Sequence, residues 1–318
     1  MHYTLHQLKV FSTVVRLRSI TRAAEQLHMT QPAVSIQLRN LQDQFDIPLT
    51  EVIGRKIHIT DFGLELGAAA DAILAGTEEI EQRMLARKGL LAGRVRFAIV
   101  STGKYIMPYY LSSFFKKYPN VELLMDVTNR SLVIESLQTN KTDFALVSVL
   151  PGHLELEQEA LMPNALWLVA SSGLALPDRA EYDISILKEI PIIYREEGSG
   201  TRIMLEEYTR KVQIMPRVKL ELTSSEAIKQ AVLAGLGASI LSIHSLRTEL
   251  QTEAVRLLPV QGFPLYSHWQ LIWLKGKRLS PAALAFLAMV RAHKDAIFNE
   301  HFAWTKQYTQ GPATGAGK

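Results

Sequence analysis

Two short helical patterns joined by a tight turn constrain this chain most, because they set the fold of its first module. They lie in SITRAAEQLHMTQPAVSIQLRNLQ, residues 19–42. Ser19 is placed to cap a helix whose small residues, Ala23 and Ala24, let a neighbouring helix cross closely. Thr30 is placed to cap the second helix. A helix, a tight turn and a helix within about 25 residues predict a helix-turn-helix.

The outer face of the second helix carries an apolar side chain that its core does not need. Val34, Leu38 and Leu41 fall on one face, and Ile36 points away from it. An apolar group on a recognition helix can contact a thymine methyl in the major groove, although a single exposed isoleucine also occurs on ordinary surfaces. We expect DNA contacts from this face and from the hairpin that follows: Thr30, Gln31, Pro32, Ser35, Ile36, Arg39, Arg55 and Lys56.

The elements around this unit are also readable. Residues 4–17 predict a helix with a capping box of Thr4 and Gln7, and with a buried stripe of Leu5, Leu8, Phe11 and Val15. EVIGRKIHIT, residues 51–60, predicts a two-stranded wing whose basic tip meets phosphates or the minor groove. The stretch 61–88 predicts one long helix without a local partner, so we expect it to pair with a second copy of the chain.

Composition narrows the class of protein further. The 318 residues include no cysteine, which excludes disulfides, thiolate zinc sites and a cysteine nucleophile and fits a cytoplasmic location. No run of about 18 apolar residues predicts a membrane span, and MHYTLHQLKV does not resemble a secretion signal. Residues 1–60 carry seven Lys and Arg against four Asp and Glu, which is +3 of the total +4. The basic first module is therefore expected to meet a polyanion.

After Gly93 the pattern changes to alternating strands and helices. VRFAIV (95–100), VELLMDV (121–127) and DFALVSV (143–149) are apolar runs typical of strands buried on both faces of a parallel sheet. Further strands are predicted at 165–171, 190–195, 217–222 and 268–275, and helices at 105–117, 130–139, 201–211, 225–235 and 280–295. This alternation predicts an α/β region of two lobes.

Two stretches of this region are suited to holding an anion. IVSTGKY, residues 99–105, places the hydroxyls of Ser101 and Thr102 where a strand ends and a helix begins. GSGTR, residues 198–202, opens another helix and adds the guanidinium of Arg202. Unpaired N–H groups at helix starts favour anions, although serine and threonine also cap many helices that bind nothing.

The first 65 residues resemble the DNA-binding module of the LysR-type transcriptional regulators, through LHQLKVFSTVV, SITRAAEQLHMTQPAVSIQLRNLQ and GRKIHIT. Ile36 stands where many members carry Arg, and Thr50 and Val52 stand where Phe and Arg are common. The resemblance implies an N-terminal all-α winged helix-turn-helix with a long linker helix, then a two-lobed α/β effector domain like a periplasmic binding protein. The implied bounds are 1–60 for the DNA-binding domain, 61–92 for the linker, 93–300 for the effector domain and 301–318 for a C-terminal tail, with lobe I at about 93–165 and 268–300 and lobe II at about 166–267.

Several stretches of the second part resemble the CbbR branch of that family, among them VSTGKYIMPYYLSSFFKKYPNVEL, REEGSGTR and SSEAIKQAVLAGLGASILS. Members of this branch regulate Calvin-cycle operons in response to phosphorylated metabolites or nucleotides. The resemblance implies these effector-binding residues: Ser101, Thr102, Lys104, Asn129, Arg130, Ser148, Ser199, Gly200, Thr201 and Arg202. Ser148 and Val149 depart from the branch, which usually has a glycine there, and a related branch with the GSGTR stretch responds to sulfur anions.

The expected partners are operator DNA, a small anionic effector, and further copies of the chain as a homodimer through the linker helix and a homotetramer. No metal site and no cofactor are expected. A solute-binding protein without DNA function and an α/β enzyme are the alternatives from other classes. The first lacks its expected signal peptide, and for the second we find no nucleophile elbow, zinc motif or cofactor fingerprint.

Overall fold

The structure is a computed structural model that describes residues 3–54, 56–87, 91–176 and 179–309. The chain divides into two compact units, Met1–Leu90 and Leu91–Lys318. Within the described ranges, no helix combines the length and the apolar character that crossing a bilayer requires.

The first unit contains three short helices, a hairpin and a long helix. They are α1 (Leu5–Leu17), α2 (Ile20–Leu27), α3 (Gln31–Gln42), β1 (Thr50–Ile53), β2 (Lys56–Ile59) and α4 (Asp61–Arg87). The capping box predicted for α1 forms between Thr4 and Gln7. Ser19 and Thr30 cap α2 and α3 through their side chains. The helix-turn-helix and its antiparallel wing are therefore confirmed, with Thr50 opposite Ile59 in the hairpin.

The buried stripe predicted for α1 is wrong at Leu5, which is 50% exposed. Leu8 and Phe11 are buried, and Val15 is half-buried against the core of this unit. Val10 and Val14 lie in the core as well. Helix α1 packs against α2, α3 and α4, so its buried surface is wider than the stripe that a single partner would cover.

Helix α4 begins very close to the segment before the wing. Thr60 caps it, since its hydroxyl accepts the amide of Gly63 at 3.0 Å and donates to the carbonyl of Pro48 at 2.6 Å. A Cβ on Gly63 would lie 2.1 Å from the carbonyl oxygen of Leu49. Further along α4, the side chains of Leu64, Ile73, Ile80 and Met84 are exposed. This helix therefore keeps apolar surface that its own unit does not cover.

The second unit alternates strands and helices, as predicted. Its strands are β3 (Gly93–Val100), β4 (Val121–Thr128), β5 (Phe144–Val147), β6 (Leu156–Ser171), β7 (Ile192–Arg195), β8 (Val218–Leu222), β9 (Ser239–Ser242), β10 (Val255–Leu257) and β11 (Leu265–Leu274). Its helices are α5 (Met107–Lys117), α6 (Arg130–Gln138), α7 (Ile186–Glu189), α8 (Gly200–Lys211), α9 (Ser225–Leu233), α10 (Arg247–Gln251), α11 (Pro281–Ile297) and α12 (Lys306–Thr309). A 3-10 turn, Ser101–Tyr105, joins β3 to α5.

Two long antiparallel strands, β6 and β11, run through both lobes of this unit. The sheet order is β10-β6-β11-β5-β3-β4, with β9 also paired to β6. Strands β4 and β5 are each parallel to β3 and flank it. Lobe I is built around the aromatic cluster of Phe97, Phe144 and Phe286. Lobe II has separate apolar clusters around Leu168 and around Val169.

The prediction that all three parallel strands are buried on both faces is wrong for β4. This strand lies at the edge of the sheet, and Leu124, Met125 and Val127 are exposed by 43%, 37% and 40%. Hydropathy alone does not separate an edge strand from a central one, because both can be apolar.

The end of the chain departs from the predicted tail. Phe302 packs into the lobe I core and Thr305 is fully buried. The indole Nε1 of Trp167 donates to the carbonyl of Tyr308 at 3.1 Å. Residues 301–309 are therefore part of the folded unit, while residues 310–318 lie outside the described ranges.

Candidate effector site and DNA-facing surface

A polar pocket lies where the carboxyl ends of β3 and β5 meet the loop after β7. Because β4 and β5 lie on opposite sides of β3, this is a topological switch point, where α/β sheets commonly bind ligands. The lining residues are Val100, Ser101, Thr102, Asn129, Arg130, Ser148, Val149, Arg195, Ser199, Gly200 and Thr201. Eight of the ten residues that the sequence predicts for the effector site therefore come together here.

The pocket is almost closed. Its cavity volume is about 10 Å³, roughly the space that one water molecule needs. A phosphorylated metabolite is much larger than water, so its entry requires the lobes or the lining side chains to move.

The 3-10 turn after β3 supplies hydroxyl groups from lobe I. Thr102 is 8% exposed, and its hydroxyl makes no hydrogen bond within the described part of the chain. This hydroxyl lines the pocket, so it is available to a ligand or a water molecule.

The start of α6 places an amide and a guanidinium beside these hydroxyls. The side-chain oxygen of Asn129 accepts the amide of Leu132 at 2.9 Å and so caps the helix. Arg130 donates from Nε to the carbonyl of Val149 at 2.9 Å and from Nη2 to that of Leu150 at 3.0 Å. Burial lowers the pKa of Arg130, although the nearby charge of Glu207 opposes this change. The guanidinium still carries its charge at neutral pH, because arginine stays protonated in proteins.

The start of α8 approaches the same pocket from lobe II. Ser199 is 2% exposed and caps α8, since its Oγ accepts the amide of Arg202 at 3.5 Å. Gly198 has φ +81°, and a Cβ there would lie 2.4 Å from the Oγ of Ser131 on α6. Glycine therefore lets the two helix starts approach each other, and residues from both starts line the pocket.

Arg195, at the end of β7, is a site residue that the sequence analysis missed. Its side chain is 7% exposed and forms two 2.8 Å hydrogen bonds to the carboxylate of Glu196. Its Nη1 donates to the Oγ of Ser225 at 2.8 Å. The signal in the sequence was its place at a strand end, immediately before the predicted GSGTR stretch. Its partner Ser225 is 30 residues away, and only the fold brings the two together.

The structure does not bring Arg202 to the pocket. It donates from Nε to Glu206 at 2.7 Å and from Nη1 to Glu221 at 2.8 Å, and it lies over the ring of Tyr194. The hydrogen bond to Glu206 is the main reason that the pKa of Arg202 is raised. The same GSGTR pattern thus supplies its backbone and hydroxyls to the pocket, while its guanidinium pairs with carboxylates elsewhere.

Lys104 is likewise absent from the lining. Its Nζ lies 3.8 Å from a carboxylate oxygen of Glu226 on α9 and 5.1 Å from the ring centroid of Tyr105. Neither Lys104 nor Arg202 lines the pocket in this conformation, and their roles as ligand contacts stay predictions.

Hydrogen bonds across the lobes hold the pocket in its closed form. Ser101 and Ser225 lie 2.7 Å apart through their hydroxyl oxygens, and the Tyr105 hydroxyl donates to Glu226 at 2.6 Å. Burial, then the hydrogen bond to Glu226, raises the pKa of Tyr105 well above its ordinary value. Burial alone would raise the pKa of Glu226, but hydrogen bonds from Tyr105 and Gln230 and the charge of Lys229 lower it to about 2.

In the first unit, α3 exposes the face predicted to meet DNA. Ile36 is 55% exposed, while Val34 and Leu41 are fully buried on the opposite side. The other predicted residues of this face, Thr30, Gln31, Pro32 and Arg39, are exposed, and Ser35 is half-buried. Arg55 lies outside the described residues, as does the side chain of Lys56. Among the described residues of this unit, none covers the N-terminal part of this helix face, since Gln31, Pro32 and Ile36 are exposed.

Comparisons with known proteins agree with both parts of this architecture. Residues 5–64 match the family described as "Bacterial regulatory helix-turn-helix protein, lysR family", and residues 88–295 match "LysR substrate binding domain". A RuBisCO operon transcriptional regulator of Allochromatium vinosum is 39% identical over 290 residues, which are 91% of this chain and 96% of that protein. The transcriptional activator CmpR of Synechocystis is 37% identical over 92% of this chain and 97% of its own length.

A solved structure resembles the second unit. It is the regulatory domain of CcmR from Synechocystis in complex with 2-PG, with 35% identity and a TM-score of 0.61, over 64% of this chain and 97% of that one. A helix-turn-helix unit followed by this effector domain is the organisation of a DNA-binding regulator, and the relatives are named for transcription control. The chain therefore belongs to the LysR family as a DNA-binding transcriptional regulator similar to those of RuBisCO operons, and it is not an enzyme.

Proposed function

We propose that a small anion, of the class of phosphorylated carboxylates, binds in the pocket between the lobes and changes how this regulator binds its operator. One observation carries the proposal. Two helix starts, the guanidinium of Arg130, the Arg195 guanidinium with its partner Glu196, and the hydroxyl of Thr102 meet at one narrow pocket. Such a set of N–H and O–H donors compensates the charge of a phosphate or a carboxylate.

The CcmR regulatory domain supports this choice of ligand, because its 2-PG is a small phosphorylated acid. The cavity volume of about 10 Å³ means that the ligand would bind a more open arrangement of the lobes than this one. An anion alters operator affinity only if it binds one arrangement of the protein more tightly than another. The cross-lobe bonds of Ser101 and Tyr105 are candidates for contacts that change.

A matched pair of arginine variants tests the site. Arg130→Ala removes a guanidinium that lines the pocket, and Arg202→Ala removes one that pairs with carboxylates outside the lining. We expect Arg130→Ala to weaken binding of 2-phosphoglycolate by at least about tenfold in calorimetric titration, as for the loss of a charge-assisted hydrogen bond. Arg202→Ala should bind within about threefold of wild type. An Arg130→Ala protein that is folded and binds normally would remove the pocket as the effector site.

A sulfur anion is the second candidate ligand. Ser148 and Val149 line the pocket where the CbbR branch usually has a glycine, and the small cavity suits a tetrahedral inorganic ion. Titration with inorganic sulfate beside 2-phosphoglycolate separates the two candidates, since the true effector shifts operator affinity as well as binding.

For DNA, we propose that the exposed face of α3 enters the major groove and that the wing meets the backbone. The exposed Ile36, Gln31 and Arg39 support this assignment, because they combine a thymine contact with donors for bases or phosphates.

The exposed apolar residues Ile73, Ile80 and Met84 of α4 support pairing of two chains along this helix. A homotetramer through the effector domains completes the proposed assembly, and light scattering of the free protein measures it.

A further inference from the structure

The two arginines that line the pocket differ in the groups that accept their hydrogen bonds. Arg195 is 7% exposed, and the carboxylate of Glu196 accepts from its Nε and from its Nη2 at 2.8 Å each. Arg130 donates instead to two uncharged groups, the carbonyls of Val149 and Leu150. A carboxylate bound in this way neutralises a guanidinium, whereas a carbonyl group leaves its full charge in place.

Arg130 also differs from the other cations that are predicted or observed at the pocket. Among the described residues it forms no ion pair, and Glu207 acts on it only as a nearby charge. Each of the others has a carboxylate partner, and the pairs are Lys104 with Glu226, Arg195 with Glu196, and Arg202 with Glu206 and with Glu221. An anion that enters the pocket therefore meets one guanidinium to which no carboxylate is bound.

Glu196 is buried in a position that serves this pairing. Its side chain is 10% exposed, and within the described part of the chain its carboxylate accepts hydrogen bonds from Arg195 alone. Ser225 holds the same guanidinium from α9, because Nη1 donates to its Oγ at 2.8 Å. The protein's own groups thus satisfy most of the N–H donors of Arg195. A buried ion pair of this kind is strongly unfavourable to break, since one charge would be left without its partner.

We propose that Glu196 is a specificity-determining residue of the pocket. It acts as an internal counter-anion that neutralises Arg195, so that Arg130 is the cation that recognises the effector. This inference rests on the proposed anion site and deepens it, because it names the positive charge that an effector meets. Since electrostatic repulsion grows with the charge of the ligand, Glu196 weakens the binding of multiply charged anions most.

The experiment is calorimetric titration of the full chain with inorganic sulfate and with 2-phosphoglycolate, at one neutral pH and one salt concentration. The amide of Glu196→Gln can still accept a hydrogen bond from Arg195 but carries no charge. We expect the Kd of each anion to fall by at least about threefold, because Arg195 then acts as a second uncompensated cation. A smaller gain, or weaker binding, by a folded Glu196→Gln protein overturns the proposal.

Glu197→Gln is the matched control for the change in net charge. It removes the same charge from the neighbouring residue, which is exposed to solvent. Water and salt screen a charge at such a position, so both anions should bind within about twofold of wild type. An equal gain in the two variants would be a general effect of net charge and would overturn the role of the buried pair.

A double variant separates a neutral pair from a direct ligand contact. Arg195→Gln alone leaves the charge of Glu196 without its cation and should weaken binding of both anions by at least about tenfold. Adding Glu196→Gln restores the net charge beside the pocket, so the double variant should bind both anions within about threefold of wild type. Weaker binding by a folded double variant would make Arg195 a direct cation for the ligand and overturn the proposal.

Two further outcomes have a defined meaning. If either single variant does not fold, the double variant decides the matter, because it buries no unpaired charge. If wild type binds neither anion, the proposed anion site is removed, and this inference is removed with it.

Discussion

At the scale of the residue, the buried side chains of α3 stabilise the fold, whereas its exposed side chains are free to contact a partner. Ile36 is 55% exposed on a helix whose opposite side, with Val34 and Leu41, is fully buried. Because Ile36 is exposed, it adds little to the folding free energy of the unit. If its removal weakens operator binding, that loss therefore indicates a contact with DNA. Arg39 is exposed on the same helix and is free to reach a base or a phosphate.

Arg39→Ala should weaken operator binding about tenfold or more and lower the slope of log affinity against log salt by about one if it contacts phosphate. Binding titrations at several salt concentrations measure both quantities. Arg210→Ala removes the same charge from an exposed position in the second unit, at the last turn of α8, and should leave the slope unchanged. Equal slopes for Arg39→Ala and wild type would place Arg39 outside the phosphate contacts.

A single buried histidine gives a second prediction at this scale. Burial lowers the pKa of His244 from 6.5 to about 3, and its Nε2 has no described hydrogen-bond partner. Between these two pKa values, His244 is protonated in the unfolded chain but not in the folded chain. The free energy of unfolding therefore decreases as the pH drops from about 6.5 toward about 3. His244→Leu should flatten this dependence by up to roughly 1.4 kcal/mol per pH unit in urea unfolding. His293→Leu, at an exposed position, should keep the wild-type dependence.

At the scale of the element, glycines decide where helices may touch other segments. In α4, Gly63 lies where a Cβ would meet the Leu49 carbonyl oxygen at 2.1 Å, whereas Gly76 has no atom within 4 Å of such a Cβ. The same residue type in one helix thus serves close packing at one position and only lowers helix propensity at the other.

Gly63→Ala should destabilise the first unit by about 1–3 kcal/mol, because the start of α4 must shift away from the chain before the wing. Gly76→Ala should instead stabilise α4 by up to about 1 kcal/mol. Hydrogen exchange of the α4 amides measures both effects. Faster exchange in both variants would contradict the packing argument.

At the scale of the whole molecule, each unit presents surface that its own core does not explain. In the first unit this includes the outer face of α3 and the exposed apolar residues of α4, and in the second it includes the pocket between the lobes. Tyr105 and Glu226 join the two lobes by a 2.6 Å hydrogen bond. This bond therefore stabilises the closed arrangement of the lobes rather than the fold of either lobe.

Glu226→Gln should weaken this connection and make the second unit open more easily. The pKa of Glu226 is lowered from 4.5 to about 2, so the stability it contributes is present above about pH 4.5 and is lost as pH falls toward 2. We expect faster hydrogen exchange around the 3-10 turn in the variant at neutral pH, with less difference near pH 2. Glu253→Gln, at an exposed position of lobe II, is the control.

Periodicity and capping residues determined most of this architecture without any structure. Local features could be predicted because they depend on residues that are adjacent in the sequence. They are the capping box at Thr4, the caps at Ser19 and Thr30, and the alternation of strands and helices after Gly93. The converging hydroxyls of Ser101 and Ser199 could be predicted for the same reason, since each marks the start of a helical turn.

Only the tertiary structure decided which charges reach the pocket and which strand lies at an edge. Arg195 reaches the pocket and Arg202 turns to Glu206 and Glu221, although both belong to one short stretch of sequence. Long side chains have several rotamers and take the partner that folding brings near, often from residues far away in the chain. The sequence therefore determined which residues with hydrogen-bond donors stand at the starts of helices. The packing of the two lobes decided which of those residues line the same pocket.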